Sequence, residues 1–437
     1  MSRLTVFVAL AILLLACTTA RTQEASKLTL QQAVDAALQN LPDVQQAQGA
    51  VRAAEARVGF VHSLYYPDIH LLAQDLEGSN DSTKSSYLSL TGIPRTGGTT
   101  AEPSNNFLGG LVLNEVLYDF GRRSWTLEAS EARSQAAGLG LEATRLDAIL
   151  DVKQAYFAVL ATQRLIVVNQ AAVKRRGKIL EMVQKGYEIG LRPKIDVVTA
   201  KTNLSEAQIA SIRAVDDLQN AKAGLNHAMG VENPAPYDLE DILNYQEVAG
   251  TLEDFLGRAY KGRPDLKEAL RQEEASKKEV EAVKSDYFPY VTASASVNAL
   301  GSDAPLTTNW DAAVILDVPI NWYRVRHEVS EARARLEQED ARVRAVRQRV
   351  TLDVEGAYND MVSAKDGIPA AQQSLDAAKE RLEIAEGRYK VGQGNIIELT
   401  DAQTFLTNAD AEYVRALYDY NRSTTRLERA IGAPLTR

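Results

Sequence analysis

The residues able to make or break bonds are few and scattered. His62, His70, His227 and His327 lie far apart, at none of the spacings that set two imidazoles on one metal ion. No glycine-rich phosphate loop and no nucleophile motif accompanies them. Four methionines, one of them the first residue, form no ladder for a soft metal. The reading is a chain with no catalytic residue, no metal site, no cofactor and no enzymatic activity. What remains is electrostatic. Glu398 and Asp401 follow a glycine-bearing break, Gly392-Gln393-Gly394-Asn395, and Tyr389 precedes it. An earlier break, Gly190-Leu191-Arg192-Pro193, is followed by Asp196. Acids just past such breaks suit the positive end of a helix.

Net charge is −9 over 437 residues, with no clustered basic run, so a nucleic-acid partner is not expected. The hydrophobic share of 45% is ample for a large core. Residues 1–16 read as a signal peptide, with Arg3 as its positive region and Leu4 to Ala16 as its apolar core. The run ends Leu14-Leu15-Ala16-Cys17, which resembles a bacterial lipoprotein signal, and Cys17 is the only cysteine. Lipid attachment at Cys17 is expected, with a lipidated linker over 17–27. Ordinary cleavage after Ala20 is the alternative. Either route exports the protein, and no later segment reads as a transmembrane helix.

The elements that position the two breaks come from a duplication. After the second break a heptad runs through Leu399, Ala402, Leu406, Ala409, Tyr413, Ala416 and Tyr420. Its counterpart starts at Val197 and Ala200, 202 positions earlier. Steps of three and four keep one seam facing a partner helix. A first repeat over 28–230 and a second over 251–432 are expected, joined by the irregular stretch 231–250 and followed by a tail, 433–437. Each repeat opens with a short helix and a proline-started helix that stops at Tyr66-Pro67 or Phe288-Pro289. A hairpin of strands follows, about 67–118 and 290–320. Val291, Ala293, Ala295 and Val297 alternate with Thr292, Ser294, Ser296 and Asn298, giving one apolar and one polar face. A helix of about 121–188 or 324–391 comes next, roughly 100 Å long. The tip hairpins, 187–196 and 389–398, return the chain.

The fold class is therefore mainly α with a small β part: a long helical coiled-coil barrel plus four strands per chain. Four strands cannot close a barrel, and lipid does not tolerate an open edge. Three chains give twelve strands, with the apolar faces toward lipid. The sequence resembles the TolC-type family of outer-membrane efflux channels. The duplication carries the resemblance, with Leu117-Tyr118-Asp119-Phe120-Gly121-Arg122 and the tip motifs Tyr187-x-x-Gly190 with Asp196 and Tyr389-x-x-Gly392 with Glu398.

The resemblance implies a homotrimer anchored in outer-membrane lipid, with a long periplasmic tunnel closed at its tip. It implies a periplasmic adaptor and an inner-membrane pump, of RND or ABC type, for efflux or type I secretion. Glu398 and Asp401 would ring the closed aperture, or else serve only as solvated acids at a helix start. Asp196 fits a gate and a cap equally. Tyr389 matches a family tyrosine that ties inner helices together. The usual tip arginine is missing, since Gly394 stands in its place, and Arg192 on the other hairpin is a candidate substitute. Both breaks would form the adaptor-docking surface. The competing function class is a periplasmic coiled-coil protein without a pore.

Overall fold

The computed structural model describes residues 27–78, 104–232, 234, 236–301 and 307–435. Cys17 and the signal segment lie outside the described residues, as does most of the first hairpin's loop. The first half runs β1 (Lys27–Leu28), α1 (Leu30–Asn40), α2 (Pro42–Ser63), β2 (Asp68–Gly78), β3 (Ser104–Tyr118), α3 (Arg122–Glu188) and α4 (Lys194–Ala228). The second runs β4 (Asp238–Leu239), α5 (Leu252–Gly262), α6 (Pro264–Lys284), β5 (Tyr290–Gly301), β6 (Thr307–Asp317), α7 (Trp322–Lys390) and α8 (Ile396–Ile431).

At 67 and 69 residues, α3 and α7 are each roughly 100 Å long. Glycines within α3 and Pro369 within α7 do not end them, because neighbouring helices pack along both. By composition α3 is long and apolar enough to cross a membrane, contrary to the sequence expectation. Its apolar residues instead meet α2, α4, α6 and α8.

Shorter helices double each long one. α2 and α4 both lie along α3, and α6 and α8 both lie along α7. The joints are close. Gly230 closes α4 at φ +67°, and a β-carbon there would lie 3.0 Å from the backbone of Asn40 and Leu41, where α1 meets α2. Gly432 closes α8 at φ +73° and abuts Arg263, where α5 meets α6, in the same way. Only glycine takes this backbone without strain and admits the approach. The α8 seam packs with Leu375, Ala378, Leu382 and Ala385 of α7 in one core toward the tips.

Within the irregular joining stretch, residues 236–250 form a belt tied to the helices. β4 pairs in parallel with β1. The Tyr156 hydroxyl lies 2.9 Å from the Leu28 carbonyl and 3.0 Å from that of Glu240. Tyr420 donates to the Gln246 carbonyl, and Asn421 to that of Asn244.

The four long strands form one antiparallel sheet, ordered β2-β3-β5-β6. One face is polar and enclosed. Ser294, Ser296 and Asn298 are buried there, with Ser294 donating to Asn114 and Ser296 to Asp311. The other face is apolar and open: Leu71, Trp310 and Val314 are 76%, 76% and 71% exposed. That is the inverse of a soluble sheet and the pattern of one whose apolar side meets lipid. β2 and β6 stand at its two edges.

Candidate functional site: the helical tips

The two tips share one backbone device. In the first, α3 ends at Glu188, Gly190 adopts φ +77°, and the amides of Leu191 and Arg192 donate to the Gly186 carbonyl. In the second, α7 ends at Lys390, Gly392 adopts φ +80°, and the amides of Gln393 and Gly394 donate to the Arg388 carbonyl. Gly186 and Arg388 are equivalent positions, as are Arg192 and Gly394.

The side chains differ. Tyr389 is buried, 1% exposed, whereas its counterpart Tyr187 is 44% exposed. Arg192 reaches from the first tip to the second. Its guanidinium lies 4.0 Å from the centre of the Tyr389 ring, and Nη2 donates to the Tyr389 carbonyl. The Tyr389 hydroxyl donates to Oδ2 of buried Asp196 over 3.4 Å. One arginine thus joins a ring face and a main-chain oxygen, two sites that favour a planar cation. Burial pushes the Tyr389 phenol above its usual range; Arg192 opposes that rise and Asp196 reinforces it.

The structure therefore brings Asp196, Arg192 and Tyr389 together. Gly394 is pressed against this cluster, since a β-carbon there would lie 3.0 Å from the Tyr389 amide. Asn395 caps α8, accepting from the Glu398 amide at 2.7 Å. Glu398 does not touch the cluster; it faces Arg388 at 3.5 Å. Asp401 is exposed on the following turn. Leu191, Pro193, Gln393 and the glycines Gly190 and Gly392 are exposed at the ends of the hairpins.

Sequence reasoning passed over three features. Arg388, next to the tyrosine, holds Glu398. Ile189, Leu191 and Val391 leave a large apolar surface around the tips, each at least 70% exposed. Aliphatic residues flanking the turn glycines were the available sign. Arg175 and Arg176 tie the hairpins together further up. Arg176 donates to the Asn203 carbonyl at 2.7 Å and to Thr404, and Arg175 to Thr407.

A lipid-facing sheet continued by a helical rod with cross-tied tips defines a channel-forming protein of the outer membrane. Comparison with known proteins agrees. The family model described as outer membrane efflux protein matches residues 33–231 and 255–433, and the chain belongs to that family. It is 27% identical over 352 residues to protein CyaE of Bordetella pertussis, covering 77% of this chain and 70% of that protein. It is 25% identical over 342 residues to the outer membrane protein TolC of Vibrio cholerae, covering 74% and 76%. Its fold matches the Campylobacter jejuni CmeC outer membrane channel with a TM-score of 0.80 at 19% identity, over 93% of this chain and 86% of that one. Members of the family are outer-membrane channels whose helical part extends into the periplasm, and this chain is an outer-membrane export channel.

Proposed function

We propose that three copies of the chain close into a twelve-strand barrel and one continuous periplasmic tunnel. The tunnel is a passive exit duct that makes and breaks no bonds. A periplasmic adaptor docks on the tips, at Gly190-Leu191-Arg192-Pro193 and Gly392-Gln393-Gly394-Asn395, and an inner-membrane pump supplies the energy. Tyr389, Asp196 and Arg192 hold the tips closed, and Glu398 and Asp401 set the charge of the aperture. Cys17 carries a lipid that adds a second anchor to the barrel.

The sheet carries this reading: apolar outward, polar inward, and ending in two edges that only further copies would pair. The direct test is reconstitution in planar bilayers. Discrete single-channel conductance is expected without ATP or a proton gradient. Stable trimers that never conduct would leave the pore-free coiled coil as the better account. Acyl labelling lost in Cys17→Ser, with trimers intact, is the expected result for the anchor; unchanged labelling would refute it.

A further inference from the structure

A basic groove at the junction of barrel and helices has no part in export as described above. It lies between α6 and α7, has a volume of about 660 Å³, and is lined by Lys284, Tyr287, Phe288, Arg326, Ser330 and Arg333. Arg326, Ser330 and Arg333 step by four and three along α7, so they share one stripe. Both arginines are exposed, and neither has an acidic partner among the described residues. Lys284 is 2.6 Å from Glu281. The groove therefore sets three cations against one carboxylate.

Its side of the wall follows from the sheet register. Tyr118 pairs with Val291, a member of the apolar row. The Tyr118 ring meets Phe120 at 4.8 Å, and Phe120 stacks on Phe288 at 5.1 Å. Phe288 lines the groove, so the groove opens on the lipid-facing side, just below the membrane. Above it the chain leaves β6 through Leu316, Val318 and Ile320, which are 63%, 56% and 84% exposed. Arg326 follows four residues into α7, roughly 6 Å below the start of the helix. Apolar collar, aromatic rim and two arginines about 10 Å apart along α7 thus succeed one another in the depth order of acyl chain, interface and phosphate.

The geometry points to a phospholipid site in the periplasm-facing leaflet. Arg326 and Arg333 hold the phosphodiester, Ser330 donates between them, and an acyl chain lies over Phe288 and Ile320. Guanidinium forks match phosphate oxygens in pairs. The inference rests on the outer-membrane channel reading. Native mass spectrometry of detergent-purified trimers mixed with phosphatidylglycerol tests it. Wild type is expected to retain the lipid, Arg326→Gln with Arg333→Gln to lose most of it, and Ile320→Ser to lose part. Inorganic phosphate at equal concentration is expected not to displace it. Undiminished retention in the double variant overturns the site, as does displacement by inorganic phosphate alone, which marks a plain anion groove. Crosslinks from position 333 to a neighbouring protomer would overturn it too, by showing the groove covered. Planar-bilayer conductance separates the two readings: a conducting double variant with full lipid retention defeats this site only, whereas a wild type that never conducts defeats the channel.

Discussion

The first and second tips have the same backbone and opposite chemistry. Each turns on a glycine at positive φ, and each sends two amides to one carbonyl. Yet the first tip gives Arg192 and Asp196, and the second receives them on Tyr389. Duplication supplied two copies of one turn, and divergence left the charged side chains of the cross-tie on one and the buried tyrosine that meets them on the other. Gly394 belongs to this division. It lets the turn press on the Tyr389 amide, where a β-carbon would lie at 3.0 Å, while its counterpart Arg192 supplies the side chain that crosses between the tips.

Truncating both tyrosines separates the two tips most strongly. Tyr389→Ala removes a buried ring and is expected to lower tip stability by about 3–5 kcal/mol. Tyr187→Ala removes an exposed one and should stay within about 0.5 kcal/mol. Hydrogen exchange of the tip amides reads both, and equal effects would deny the asymmetry. The caps give a smaller contrast. Asn395→Ala is expected to weaken the start of α8 by about 1 kcal/mol. Pro193→Ala, at a start with no side-chain cap, should change exchange at α4 much less.

The pH response is narrower still. The folded Tyr389 phenol titrates above its unfolded value of 10, because burial disfavours the phenolate. Its contribution is fully present below pH 10 and is lost as pH rises through the raised folded value. Protection of the tip amides should therefore fall above pH 10 in wild type. In Tyr389→Phe this phenol-linked fall should be absent. The smallest effect is expected from Glu398→Gln with Asp401→Asn. Cation selectivity should drop at low salt, with little change once the screening length shortens to about 8 Å. Reversal potentials matching wild type at low salt would leave both acids as helix-start residues only.

The long helices were legible because heptads repeat over many turns, and the strands because Val291 to Ala299 alternate strictly. The belt was not legible. Its backbone is held by Tyr156, Tyr420 and Asn421 from distant helices, and no local period announces such a pairing. At the tips, the sequence marked the missing arginine at 394 and named Arg192 as a candidate replacement. It did not reveal that Arg192 stacks on the tyrosine ring itself, nor that Arg388 draws Glu398 aside. Arg192 and Tyr389 are 197 positions apart, so their contact depends on how the two hairpins dock. Only the packed α3, α4, α7 and α8 settle that.

Arg192 joins the two unlike tips, and in the proposed duct that tie keeps the periplasmic end shut. Single-channel conductance of reconstituted Arg192→Ala trimers tests it most directly. A several-fold rise over wild type is predicted, with Arg192→Lys between them because an ammonium keeps the charge but loses the planar stack. Conductance identical to wild type in Arg192→Ala, from trimers that are otherwise intact, would contradict it.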